Sequence, residues 1–151
     1  MSWLGIGWLD VVAVKKALIG VAAALADGGP LDGVQVAYSW PGRGTERECV
    51  HGGLTTWETS PAGLDTGDDV TVTTEVHIVV AEPGATVQET DERAADLATA
   101  LAACLADDQT LGGHPGVLSV SVEGGDLYHE TNDDGAATAL TMRVRIGCYQ
   151  Q

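Results

Sequence analysis

The sequence predicts an α+β fold of two layers: a mixed or antiparallel sheet with two helices packed on one face. Two observations predict it. Two segments carry apolar residues at spacings of three and four, one helical face each, and four others alternate apolar and polar residues at the strand period of two. Their order is helix, strand, irregular stretch, strand, helix, strand, strand, which lacks the regular strand–helix alternation of a parallel sheet and fits a two-layer α+β domain.

The first helix spans Asp10 to Asp27. Asp10 is placed to cap the first orphan amides. Val11, Val14, Leu18, Val21 and Leu25 form its apolar face, and Gly28-Gly29-Pro30 stops it. Val34 to Tyr38 reads as a short strand ended by Trp40-Pro41-Gly42. The stretch at about 41–69 is the least regular and is expected to be an interface arm, with short strands available at Glu48–His51 and Thr55–Thr59. Val70 to Ala81 is the clearest strand. Val70, Val72, Thr74, Val76, Ile78 and Val80 share one face, and Thr71, Thr73, Glu75 and His77 share the other.

After the turn Glu82-Pro83-Gly84, a second helix is expected from about Thr90 to Asp107. Asp91 and Glu92 suit the positive end of its dipole, and Leu97, Leu101 and Leu105 mark its buried side, with Ala94, Ala98 and Cys104 beside them. Gly112 to Gly116 is a tight connector. Val117 to Val122 then alternates, with Leu118, Val120 and Val122 expected inward, and Gly124-Gly125 is expected to end the strand. The last strand runs from Ala139 to Cys148, with Leu140, Met142, Val144 and Ile146 inward and Thr141, Arg143 and Arg145 outward. It is expected to pair with its predecessor through a long acidic connection containing a turn at Asn132–Gly135.

The 151 residues suit one domain with its own core. The net charge of −15, from 22 acids against 7 bases, argues against gripping nucleic acid, because only Lys15 and Lys16 are adjacent bases. Three widely spaced cysteines, Cys49, Cys104 and Cys148, form no C-x-x-C pair and read as reduced thiols. No signal peptide or membrane span is expected: Gly5, Gly7 and Asp10 interrupt the first apolar stretch, and Lys15 and Lys16 interrupt the next.

Catalysis needs convergent groups. No Walker, dinucleotide or G-x-S-x-G fingerprint occurs, since Gly42-Arg43-Gly44 lacks a third glycine at the required spacing. Of the four histidines, His77 faces outward on a strand and His114 sits in a turn. His129-Glu130 with Asp126, Asp133 and Asp134 is the densest group of metal-type ligands, yet it matches no EF-hand loop and reads as a solvated acidic tip. Cys49 and His51 share a strand face, but no third group orients them as a nucleophile pair. No cofactor, metal or catalytic residue is therefore assigned. Four tryptophans lie instead at a terminus and in the irregular stretch. Trp3, Trp8, Trp40 and Trp57, together with Arg143 and Arg145, are the expected subunit-interface residues, because Trp and Arg are favoured where a large area is buried.

The helix Val11–Ala26, the strand Val70-Thr71-Val72-Thr73-Thr74-Glu75-Val76, the helix Ala94–Leu105 and the closing pair Val117–Val122 and Leu140–Ile146 resemble, in order and length, the tail-terminator proteins of long-tailed bacteriophages. The resemblance implies a non-enzymatic virion subunit at the tail or neck, assembled in the host cytoplasm. It implies a homo-oligomeric ring, typically of six copies, that caps the tail tube protein and joins the head–tail connector or stopper protein. DNA would pass through as cargo without being specifically bound, repelled by acidic side chains in the lumen. A stopper or tail tube protein of the same size, a small metal-dependent enzyme built on the His129 and aspartate group, and a ligand-binding module are the alternatives.

Overall fold

The computed structural model describes residues 10–42, 47–61, 67–132 and 135–150. It contains α1 (Val11–Ala26), β1 (Gln35–Ala37), β2 (Glu48–Pro61), β3 (Asp68–Pro83), α2 (Val87–Asp107), β4 (Val117–Asn132) and β5 (Gly135–Gln150). The strands form one sheet in the order β1-β2-β3-β5-β4. Only β1 and β2 pair in parallel; the other neighbours are antiparallel. The fold is α+β with both helices on one face of a mixed sheet, as expected.

Strand β3 organises the sheet. Its even-numbered residues from Val70 to Val80 are buried, whereas Thr71, Thr73, Glu75 and His77 on the other face are half-buried. It pairs with β5 without a register break from Asp68↔Gln150 to Pro83↔Gly135, which aligns Met142, Val144 and Ile146 with its own buried row. Val14 and Leu18 of α1 and Leu97, Leu101 and Leu105 of α2 fill the space above that row. Burying such side chains is the main favourable contribution to folding, at roughly 25 cal/mol per Å² of apolar surface.

Both helices start where local chemistry satisfies free amides. The Asp10 carboxylate accepts from the Val12 and Ala13 amides at 2.9 and 3.3 Å. Helix α2 begins three residues earlier than expected, because Thr86 and Glu89 form a reciprocal capping box. Arg93 then ties α2 to β2 through a two-pronged bond to Glu48, at 2.6 and 3.0 Å. A second tie is buried: the Thr90 and Thr138 hydroxyls meet at 2.8 Å, and Thr138 donates to Asp91 at 2.6 Å.

Three expectations are corrected. The stretch expected to be an irregular arm is, from Glu48 to Pro61, a 14-residue strand. A register shift between Gly52 and Thr55 divides it, and this interruption is what obscures its period. Likewise Gly124-Gly125 does not end β4. A bulge at Glu123, between Val122 and Gly124, precedes the glycines, which pair with Arg143 and Met142, and pairing with β5 continues to Asn132↔Gly135. The acidic connection is therefore largely strand. A second bulge, between Val117 and Ser119, leaves Leu118 65% exposed rather than inward.

Leu97 is 1% exposed and sits in the middle of the helix–sheet core. Leu97→Ala should lower the unfolding free energy by about 2–5 kcal/mol, read by urea denaturation. A loss below about 1 kcal/mol would show that the site collapses to fill the space.

Candidate assembly surface

Three regions of the described chain have polar or apolar groups left over from the core: the outer face of the sheet and its two edges. No described helix covers the outer face. It presents Thr56 and Glu58 from β2, Thr73 and Glu75 from β3, Arg143 and Arg145 from β5, and Asp126 from β4, placed side by side by the strand register. Arg143 Nη1 donates to Asp126 Oδ2 at 3.1 Å, and Arg145 Nη1 to Glu123 Oε1 at 3.2 Å. Both pairs are largely exposed, so they set the local charge more than the stability.

Further along this face lies a stack of rings. His51, 7% exposed, packs on His77 with centroids 4.9 Å apart, and the Trp40 ring meets His51 edge-on at 5.2 Å. His51 Nδ1 donates to the Gly52 carbonyl at 3.0 Å. His77 Nδ1 and the Thr141 hydroxyl hydrogen-bond at 2.9 Å, and His77 Nε2 lies 3.5 Å from Glu75. On the helix side at this end of the sheet, the Lys15 ammonium of α1 sits 4.3 Å over the Tyr38 ring. Burial pushes the His51 imidazole below its ordinary value of 6.5; His77 and Lys15 push the same way, and the Gly52 carbonyl opposes them.

The candidate interface residues divide accordingly. Arg143 and Arg145 are brought together on the outer face. Trp40 is 56% exposed over the histidines. Trp57, 42% exposed, faces Val72 on the helix side of β2, so the two tryptophans are on opposite faces of the sheet. Trp3 and Trp8 lie outside the described residues. Exposed apolar side chains along the strand edges were not expected: Leu54 on β2, and Leu118, Val122, Leu127 and Tyr128 on β4, are 40–65% exposed. Alternation marks such residues as strand, but only the strand order reveals which strands are edges.

Asp126 and His129 fall on opposite faces of β4, because they pair with Thr141 and Thr138, and Asp133 and Asp134 lie outside the described residues. Among the described residues no group of three metal-type ligands converges. Cys49 is fully buried, and burial raises its thiol pKa; burial likewise pushes Cys148 up to about 11. Neither is an activated thiolate. No helix among the described residues is long and apolar enough to cross a membrane.

No protein-family model matches the chain, and no curated protein matches it. Among solved structures, it is similar to a chain of the virion of a native gene transfer agent particle, with a TM-score of 0.61 and 14% identity over 91% of this chain and 95% of that one. The likeness is one of fold over nearly the whole of both chains.

The buried His51 makes stability depend on pH. Its folded pKa lies below the unfolded 6.5, so the unfolded chain takes up the proton first. The stability is full above pH 6.5 and is lost as pH falls toward the folded value. Urea denaturation at ~pH 7.5 and ~pH 5.5 should therefore show a larger acid loss for the wild type than for His51→Phe; equal losses would contradict the assignment.

Proposed function

We propose that this chain is a structural, non-enzymatic subunit of a phage-type virion, and specifically a tail terminator. In this reading copies form a ring, with six as the expected number, that caps the tail tube protein and carries the head–tail connector or stopper protein at the tail or neck. The observation that carries the reading is the fold likeness to a virion chain, which spans both molecules almost end to end. It agrees in kind with the resemblance to tail terminators in element order.

Physical features of the surface support it. The exposed apolar groups concentrate on strand edges, where a neighbouring copy can cover them. Trp40 and Trp57 remain half in solvent, so each has area to bury on a partner. The net charge of −15 suits a ring through which DNA passes without sticking. Screening limits that repulsion to about 8 Å at physiological salt, so the acids that serve it are those lining the hole. DNA is then cargo, and the arginines serve protein contacts.

The test is direct imaging. The purified chain, alone or with its tube or connector partner, should appear as closed rings by electron microscopy and as one discrete oligomer by native mass spectrometry. Open filaments would point to a tube protein instead, and monomers under every condition would defeat the ring. Trp57→Ala should reduce ring formation while leaving most of the monomer's melting temperature intact. Loss of melting temperature with rings preserved would place this tryptophan in the fold rather than in assembly.

A further inference from the structure

The sheet is unfinished at both ends. Strand β1 covers only Cys49–His51 of β2, so from Thr55 to Pro61 no described strand lies against the outer edge of β2. At the other end, among the described strands, β4 pairs with β5 alone. Strands β2 and β5 run one way and β3 and β4 the other. A second copy placed with its β2 beside β4 therefore continues the antiparallel alternation and keeps all helices on one side.

We propose that copies of this chain join edge to edge in this way, with Trp57 of one copy opposite Gly125 of the next and Glu58 opposite Gly124. The proposal rests on the ring reading above and names the contact that would build the ring. The faces agree. Trp57 points to the helix side with Val72, and Gly125, paired with Met142, presents no side chain there, a β-carbon at that position meeting the Thr141 carbonyl of β5 instead; Glu58 and position 124 both fall on the outer face, beside Thr71 and Arg143.

On the helix side, the indole of Trp57 meets no side chain at Gly125. It lies between the exposed Val122 and Leu127, beside a groove of about 330 Å³ whose lining includes Ala95, Leu140 and Met142. An aromatic ring set across from a glycine in the next strand restores the packing that the glycine lacks. On the outer face, a β-carbon added at Gly124 would sit 3.3 Å from Arg143 Nη2, so the guanidinium lies over that glycine. Glu58 arriving from the neighbour faces this half-exposed cation, opposite charge to opposite charge. Elsewhere two copies at −15 repel; here Glu123 and Asp126 are already matched by Arg145 and Arg143.

The register also clears the short strand. Leu54 falls opposite Tyr128, and the residues covered by β1 are reached only at the end of β4 near Asn132. Because the two edges differ, a growing assembly keeps one free edge of each kind, and the contact repeats, giving a ring where the rotation between copies closes.

The same register sets Thr56 opposite Asp126, which gives a test. In the double variant Thr56→Cys and Asp126→Cys, mild oxidation should link assembled copies into a covalent ladder, and neither single variant should do so. Glu58→Arg or Arg143→Glu alone should weaken self-association about tenfold or more, and combining the two should restore it. Wild-type rings, together with a double cysteine variant that gives no cross-link and charge-reversal variants that associate as tightly as the wild type, would overturn the edge contact and leave the ring reading standing. A wild-type chain that is monomeric throughout would overturn both.

Discussion

Strand β3 can occupy the middle of the sheet only because its alternate side chains suit two environments. Its buried row from Val70 to Val80 needs the helices above, and its outer row of Thr71, Thr73, Glu75 and His77 tolerates water. Slipping this strand by one residue would exchange the rows and turn the valines outward. The unbroken pairing with β5 fixes that register, and the register in turn sets where every outer-face charge falls. The Arg143–Asp126 and Arg145–Glu123 pairs are completed by the pairing of β4 on β5, and the His51–His77 stack by that of β2 on β3.

A sheet so complete at its centre is exposed at its margins. Backbone donors and acceptors on the outward side of β4 and of the far half of β2 have no described strand to pair with, and Leu118 and Leu127 of β4 are exposed beside them. Exposed edges of this length invite association, and monomeric proteins usually blunt them with charge, proline or a covering loop. Here two acids of β4, Glu123 and Asp126, are already paired with arginines of β5, and the far half of β2 carries one acid, Glu58, until Pro61. The same margins that would be a hazard in a monomer are usable in a subunit. This is why assembly, and not chemistry, is the function proposed for a chain whose two most buried cysteines are held as neutral thiols.

What the residues disclosed depends on whether a period ran uninterrupted. Helix α1, strand β3 and the inward row of β5 each carry a clean repeat and fall where the spacing places them. The start of α2 was legible in Thr86-x-x-Glu89, a capping box that lies outside the apolar repeat used to find the helix. Strand β2 was hidden by its break at Gly52–Thr55, and the second half of β4 by Gly124-Gly125, because a bulge and a chain reversal look alike in one dimension. Trp40, Trp57, Arg143 and Arg145 were identifiable from residue type alone. Their division between two faces was not, since it follows from strand order. The exposed Leu118 and Leu127 were misread or passed over for the same reason: an edge is a property of neighbours, which no single segment records.

Amide hydrogen exchange on the free and assembled protein tests most directly whether the unfinished edges are the assembling parts. Amides of β3 should be protected in both states. Those of the far half of β2 and of β4 around Gly124 should exchange quickly when free and become protected on assembly. Assembly that instead protects the outer surfaces of α1 and α2, with both edges exchanging as before, would contradict the account.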